Sequence, residues 1–231
     1  MALLSLPRIE PLHLADVTLP EGHPLAGQSC PVFAFVIRHA GGAILVDTGV
    51  GGHKGIERMY RPQRRPLAEA LGGIGLAPED VAALVNTHLH FDHCGENALF
   101  PGVPVYVQRR EYEAAREPLY TVADYVDAPG LAYEQVDGER EIVEGVRLIP
   151  TAGHTPGHQS VVVEGGGQRV VIAGQAVYTA GEYAGPSDEA GAAGAWDIDL
   201  YRASVLRLRE LEPGAVYFSH DHSIWKAGET A

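Results

Sequence analysis

The sequence predicts an α/β fold in which two mixed β-sheets pack face to face with helices outside. Three observations carry this expectation. Short apolar runs bounded by Gly, Pro, Asn or Asp recur along the chain, stretches with helical spacing are interspersed among them, and metal-capable side chains recur where the runs end. The 231 residues, 45% of them hydrophobic, suffice for one large core, and no linker, charge run or repeat divides them. Residues 1–231 are therefore expected to form a single domain.

Taken in order, residues 31–38 and 43–46 flank Ala40-Gly41-Gly42 and read as a hairpin whose second strand ends at Asp47-Thr48-Gly49. An acidic residue at such an end usually faces a cleft. A short helix around 66–71 leads to the apolar strand 81–85, which runs out into Asn86-Thr87-His88-Leu89-His90-Phe91-Asp92-His93. Residues 104–107 form the next strand and 109–116 a helix, whereas 117–145 carries no decisive pattern. Strands follow at 146–149, 160–163 and 169–173, the last two joined by a turn at 164–168. Asp199 is placed to cap a helix over 200–211, where Tyr201, Val205, Leu208 and Leu211 share one face. A final strand, 215–218, delivers His220.

His88, His90, Asp92 and His93 put four metal-capable side chains into six positions. Imidazole and carboxylate are ligands of first-row metals, and a strand end holds them rigidly at the mouth of a cleft. A lone His-x-His would read as incidental. Here two ligand types alternate after an apolar strand, and His154, Gln175 and His220 each follow a later strand. One edge of the sandwich then collects them all.

The formal charge of −13 argues against a nucleic-acid partner, because phosphate binding needs clustered Lys and Arg and the best cluster, residues 61–65, reads as a solvated loop. Cys30 and Cys94 form no Cys-x-x-Cys pair and suit a reducing compartment; Cys94 reads as a packed thiol. The N-terminus lacks the signal-peptide pattern, and no segment approaches the roughly 18 consecutive apolar residues of a membrane span. A cytoplasmic protein acting on a small molecule is expected, with a homodimer left open.

At this point the chain resembles the metallo-β-lactamase superfamily, whose members share a His-x-His-x-Asp-His loop on an αββα sandwich. The resemblance spans residues 31–222 and includes Leu45-Val46-Asp47-Thr48-Gly49, Gly153-His154-Thr155-Pro156-Gly157-His158 and Phe218-Ser219-His220-Asp221. Within the superfamily, His154-Thr155-Pro156-Gly157-His158-Gln159-Ser160, Pro104-Val105-Tyr106-Val107-Gln108 and Tyr178 are most similar to N-acyl homoserine lactone lactonases. The resemblance implies a first metal set of His88, His90 and His154 and a second of Asp92, His93 and His220, with Zn²⁺ or another divalent transition metal in one or two copies. It also implies that Asp47 stands behind a ligand histidine and fixes its tautomer.

One position departs from the pattern. Gln175, in Ile172-Ala173-Gly174-Gln175-Ala176-Val177-Tyr178, stands where the family ordinarily has an Asp that bridges both metals. Its amide oxygen is neutral, so the repulsion between two ions is offset by Asp92 alone. Three outcomes stay open: a dinuclear site with Gln175 as a weak ligand, a mononuclear site, or a site that has lost turnover.

The activity implied is opening of a lactone or similar ester by metal-bound hydroxide, with Asp92 relaying a proton and Tyr178 donating to the developing oxyanion. Tyr178 reads equally well as a packing residue. The alternatives are a thioesterase of the same fold resembling glyoxalase II, disfavoured by the few residues after His222, and a non-catalytic metal-binding sensor or scaffold. Residues 51–65, with His53, Met59 and Tyr60, read as an exposed loop with the alternative of a lid. His13, His23, His39 and His158 read as surface or supporting groups, and His222 as a solvated loop histidine rather than a surrogate ligand.

Overall fold

The computed structural model describes residues 5–229 except 24, 186–188 and 193. The first half of the chain builds a seven-stranded sheet from β1 (Arg8–Thr18), β2 (Ser29–His39), β3 (Gly42–Val46), β4 (Gln63–Arg64), β5 (Val81–Val85), β6 (Pro104–Gln108) and β7 (Ala132–Val136). Its order is β4-β1-β2-β3-β5-β6-β7. The second half builds a six-stranded sheet, ordered β13-β12-β11-β10-β9-β8, from β8 (Arg140–Val143), β9 (Val146–Pro150), β10 (Gln159–Gly165), β11 (Gln168–Ile172), β12 (Ala215–Tyr217) and β13 (Trp225–Lys226). Both sheets are mixed: β3, β5, β6 and β7 run parallel beyond the β1-β2-β3 meander, and β11 pairs parallel with β12 among antiparallel neighbours.

Strand alternation sorts the apolar side chains into three layers. Phe33, Phe35, Ile37, Ile44 and Val46 of the first sheet meet Val146, Leu148, Val161, Val163 and Ile172 of the second. The intervening Ala34, Val36 and Leu45 point the other way, onto Leu67 and Leu71 of helix α2, defined below. On the far side Ile149, Val162 and Val171 pack against Tyr201, Val205 and Leu208. Fully burying side chains of this size contributes roughly 1.5–3 kcal/mol each, so a register slip that turned one strand over would be costly.

The helices in chain order are α1 (Lys54–Tyr60), α2 (Leu67–Gly72), α3 (Arg109–Ala114), α4 (Ala123–Val126), α5 (Ala180–Ala184), α6 (Glu189–Ala192) and α7 (Ile198–Glu210). The sandwich, the hairpin at 40–42 and the turn after β10 are as the sequence predicts. Two expectations are corrected and one unread stretch is filled. Asp197, not Asp199, caps α7: its carboxylate accepts from the backbone N–H of Asp199 and Leu200, each at 3.0 Å. The loop 51–65 contains α1, capped by His53 Nδ1, which accepts from Gly55 N at 3.2 Å, and the short β4. The stretch 117–145 supplies α4, β7 and β8.

The longest strand that the sequence does not suggest is β1, and the two-residue β13 at the far edge is also unforeseen. In β1, Pro11, Glu10 and Asp16 break the apolar alternation, and a bulge between His13 and Ala15 shifts its register against β2. Proline is tolerated there because β4 covers β1 only at Ala15 and Asp16, leaving the rest as an edge. Among the described residues no helix is long and apolar enough to cross a membrane.

Candidate metal centre

Five strand ends converge on one rim of the sandwich. β3 leads into Asp47, β5 feeds the loop 86–93, β9 precedes His154, β11 precedes Gln175 and β12 precedes His220. The structure brings every sequence-derived ligand candidate to this rim. His88, His90 and His154 form one group and Asp92, His93 and His220 another, the donor atoms of each lying within 4.8 Å of one another. A pocket of about 190 Å³ opens over them, lined by His90, Asp92, His154, Gln175, Tyr178 and His220 together with the apolar Val17, Leu19, Tyr60 and Phe91.

Backbone and side-chain partners aim the ring nitrogens. Asp47 accepts from Thr87 N at 2.7 Å and Thr87 Oγ1 at 2.8 Å, and meets His93 Nδ1 at 2.8 Å. It does so from a left-handed backbone, φ 64°, a conformation that Asp tolerates better than most residues. His220 Nδ1 faces the Pro31 carbonyl at 2.8 Å. With Nδ1 of both rings committed as donors, both Nε2 lone pairs point into the centre, where they stand 3.3 Å apart. Two acceptors that close require a cation or a proton between them. In the other group His90 Nδ1 and His154 Nε2 are 3.2 Å apart, and the buried His88 Nε2 has no hydrogen-bond partner. Nitrogens about 2.0–2.1 Å from one tetrahedral ion lie roughly 3.3–3.4 Å apart, so the donor set fits a transition metal.

Electrostatics points the same way. Burial pushes His88 and His154 well below the ordinary imidazole range and His90 to about 4, helped in each by neighbouring histidines, although Asp92 pulls His90 partly back. These rings are neutral at pH 7, the state that ligates a metal. Burial alone would raise Asp92, but His93, His220 and His90 outweigh it and hold the carboxylate ionised. Burial likewise opposes charge on His220, yet Cys30, Asp92 and the Pro31 carbonyl push it up to about 9. The second group therefore attracts positive charge.

Several contributors have little or no sequence signal. Glu111, in the first turn of α3, is fully buried and joins the two ligand loops. One carboxylate oxygen accepts from Leu89 N at 2.9 Å and from the Tyr120 hydroxyl; the other accepts from Thr155 Oγ1 at 2.7 Å and Gly157 N at 3.1 Å. Any side chain at Gly157 would put its Cβ 2.1 Å from Glu111 N, so glycine is required for that approach. His158, read from sequence as a surface or supporting group, is fully buried and accepts at Nε2 from Gln175 N, 3.0 Å away. Gly174, at φ 63°, turns the chain into this contact and so sets Gln175 at the pocket wall.

Tyr178 also lines the pocket. Its ring stacks on His220 with centroids 5.0 Å apart, and among the described residues its hydroxyl meets only Cys30 Sγ, at 3.9 Å. Glu182 of α5 accepts from Tyr178 N at 2.8 Å and fixes this segment. Of the lid candidates, Tyr60 packs on Phe91 at 4.3 Å and faces the pocket, whereas Met59 is exposed. His23 lines the pocket too, which its sequence context did not suggest. Cys94 is a buried free thiol, as expected.

A family model for the metallo-beta-lactamase superfamily matches residues 27–220. The chain belongs to that superfamily. An N-acyl homoserine lactonase from Bacillus sp. is 35% identical over 208 residues, covering 83% of this chain and 81% of the relative. The N-acyl homoserine lactonase AttM of Agrobacterium fabrum is 31% identical over 229 residues, covering 87% and 85%. Among solved structures, an AiiA variant of Bacillus thuringiensis with N-decanoyl-L-homoserine bound at the active site superposes with a TM-score of 0.81 at 27% identity, covering 95% of each chain. An N-acyl homoserine lactone hydrolase with N-hexanoyl-L-homoserine at its catalytic metal centre gives 0.78 at 27% identity, covering 95% of this chain and 94% of that one.

Proposed function

We propose that this protein is a metal-dependent hydrolase that opens N-acyl homoserine lactones or closely similar cyclic esters, working as a single domain with Zn²⁺ as the natural ion. The observation that carries the reading is the pair of ligand groups, His88-His90-His154 and Asp92-His93-His220, at the floor of one partly apolar pocket. The chain's lactonase relatives support the substrate class. Its two free, buried cysteines suit a cytoplasmic setting.

A divalent ion held there supplies Lewis acidity and a water acidic enough to be a nucleophile at neutral pH. The chain's own residues do the rest. Val17, Leu19, Tyr60 and Phe91 offer an apolar wall for an acyl chain. The Tyr178 hydroxyl donates to the carbonyl oxygen as negative charge develops on it. Asp92, on the same wall and ionised, passes the proton released by the attacking water to the ring oxygen. The acyl C–O bond of the ring breaks, hydroxyl adds to the carbonyl carbon, and the product is the open N-acyl homoserine.

Gln175 offers only a neutral amide oxygen at the pocket wall, so a second ion would bind more weakly than the first. The test is a panel of N-acyl homoserine lactones of several chain lengths, thioesters and β-lactams, offered to zinc-loaded protein with and without chelator. Chelator-sensitive lactone opening that exceeds the other classes is expected. Thioester turnover above lactone turnover would move the protein to the thioesterases, and metal uptake with no turnover would make it a binding protein.

A further inference from the structure

A second cluster of metal donors lies outside the pocket. His13, Asp16 and His222 bring their ligand atoms within 4.8 Å of one another, and none of the three lines the catalytic pocket. We propose that these residues form a separate surface site for a borderline divalent cation such as Zn²⁺, Ni²⁺ or Cu²⁺.

Ordinary strand geometry would place His13 and Asp16, three residues apart, on opposite faces. The β-bulge between His13 and Ala15 reverses the alternation and turns both toward the same side. His13 Nε2 then sits 3.3 Å from Asp16 Oδ1. That nitrogen is sealed from solvent and makes no hydrogen bond, so its one polar contact among the described residues is the Asp16 carboxylate, although the ring edge is partly exposed. Among the described residues Asp16 has no ion-pair partner besides His13, which leaves its charge for a cation.

Phe33 fixes the two rings. His13 stacks on it with centroids 5.1 Å apart, and His222 stands edge-on to both Phe33, at 5.2 Å, and His13, at 5.1 Å. The rings are therefore held together before any ion arrives. Two imidazoles and one carboxylate select first-row transition ions over Ca²⁺ or Mg²⁺, which require mostly oxygen donors. Three protein ligands with an exposed His222 leave the remaining positions to water.

The site also ties separate parts of the fold. His13 and Asp16 belong to β1 of the first sheet, and His222 follows β12 of the second, two residues beyond His220. An ion bound here would clip the edge of one sheet to the segment that carries His220, and it would stabilise the folded chain by mass action.

The experiment compares Zn²⁺ uptake by wild type, His222→Ala and Asp16→Asn, by calorimetric titration and metal analysis, with His88→Ala as the converse control. However many ions the catalytic centre takes, wild type is expected to bind one equivalent more than either surface variant. Where residual binding persists, its affinity is expected to fall by more than the about 10–100-fold typical of an outer-sphere change. His88→Ala is expected to keep the additional equivalent, and zinc anomalous scattering from wild-type crystals to show a peak between the three side chains. Melting in chelator checks that both variants fold as wild type does. Equal stoichiometry and affinity in wild type and both folded variants would overturn the proposal.

Discussion

The two ligand groups of the centre differ in what holds them and in the charge they carry. His88, His90 and His154 are three neutral imidazoles whose loops are tied together by Glu111, which accepts from Leu89 N on one side and from Thr155 and Gly157 on the other. Asp92, His93 and His220 contain a carboxylate and are aimed from behind by Asp47 and the Pro31 carbonyl. The wall of the same pocket offers Gln175, an amide. A buried carboxylate clamp can therefore preorganise a purely imidazole group, whereas the second group depends on supporting acceptors and on the charge of its own Asp92. The groups are accordingly expected to bind metal unequally.

Removing a ligand from the first group should have the largest effect. His88→Ala is expected to abolish lactone opening, with a loss well above the about 10–100-fold that outer-sphere changes cause, read as kcat/KM beside metal content. Wild-type turnover in that variant would break the assignment of the first group. Tyr178→Phe should lower kcat by on the order of 10²-fold with metal content intact, the scale of one lost oxyanion donor. Unchanged kcat would leave Tyr178 with its packing role against His220 alone.

Two variants with intermediate effects separate the supports. Glu111→Gln replaces one acceptor oxygen by a donor facing existing donors, and should weaken the first ion by about 10–100-fold while sparing the second. Asp47→Asn should weaken the second ion more than the first, since Asp47 meets His93 directly and reaches His88 only through Thr87. Equal losses at both ions in either variant, measured by competitive metal titration, would show that the groups are not separately anchored. The smallest change is expected from Gln175→Asp, which should tighten the second ion by about tenfold, or ~1.4 kcal/mol. An unchanged titration would place residue 175 outside the coordination sphere.

The ligand candidates were legible in the sequence because chemistry concentrated them: four in six positions, the others each just past an apolar strand. The layered fold was legible for the same reason, since Phe33-Ala34-Phe35-Val36-Ile37 and Val161-Val162-Val163 are apolar on both faces. The edges were not. β1 carries Pro11 and a bulge, and β7 leaves Glu134 and Gln135 exposed, so neither shows the period of a buried strand. Glu111 was invisible because an acid in the first turn of a helix is ordinary. Its burial follows from the fold, which brings the two ligand loops together around its carboxylate. The grouping of His13, Asp16 and His222 likewise depends on a bulge and on a contact between residues more than 200 positions apart in the chain.

The two groups are proposed to bind metal unequally and together to open a lactone ring. The decisive measurement follows N-acyl homoserine lactone hydrolysis as Zn²⁺ is added stepwise to metal-free His222→Ala protein, which removes the surface site from the count. One tight and one weaker binding step are expected at the centre, with chelator-reversible turnover that rises as those steps fill. No lactone hydrolysis at any loading, or two steps of equal affinity, would refute the unequal pair.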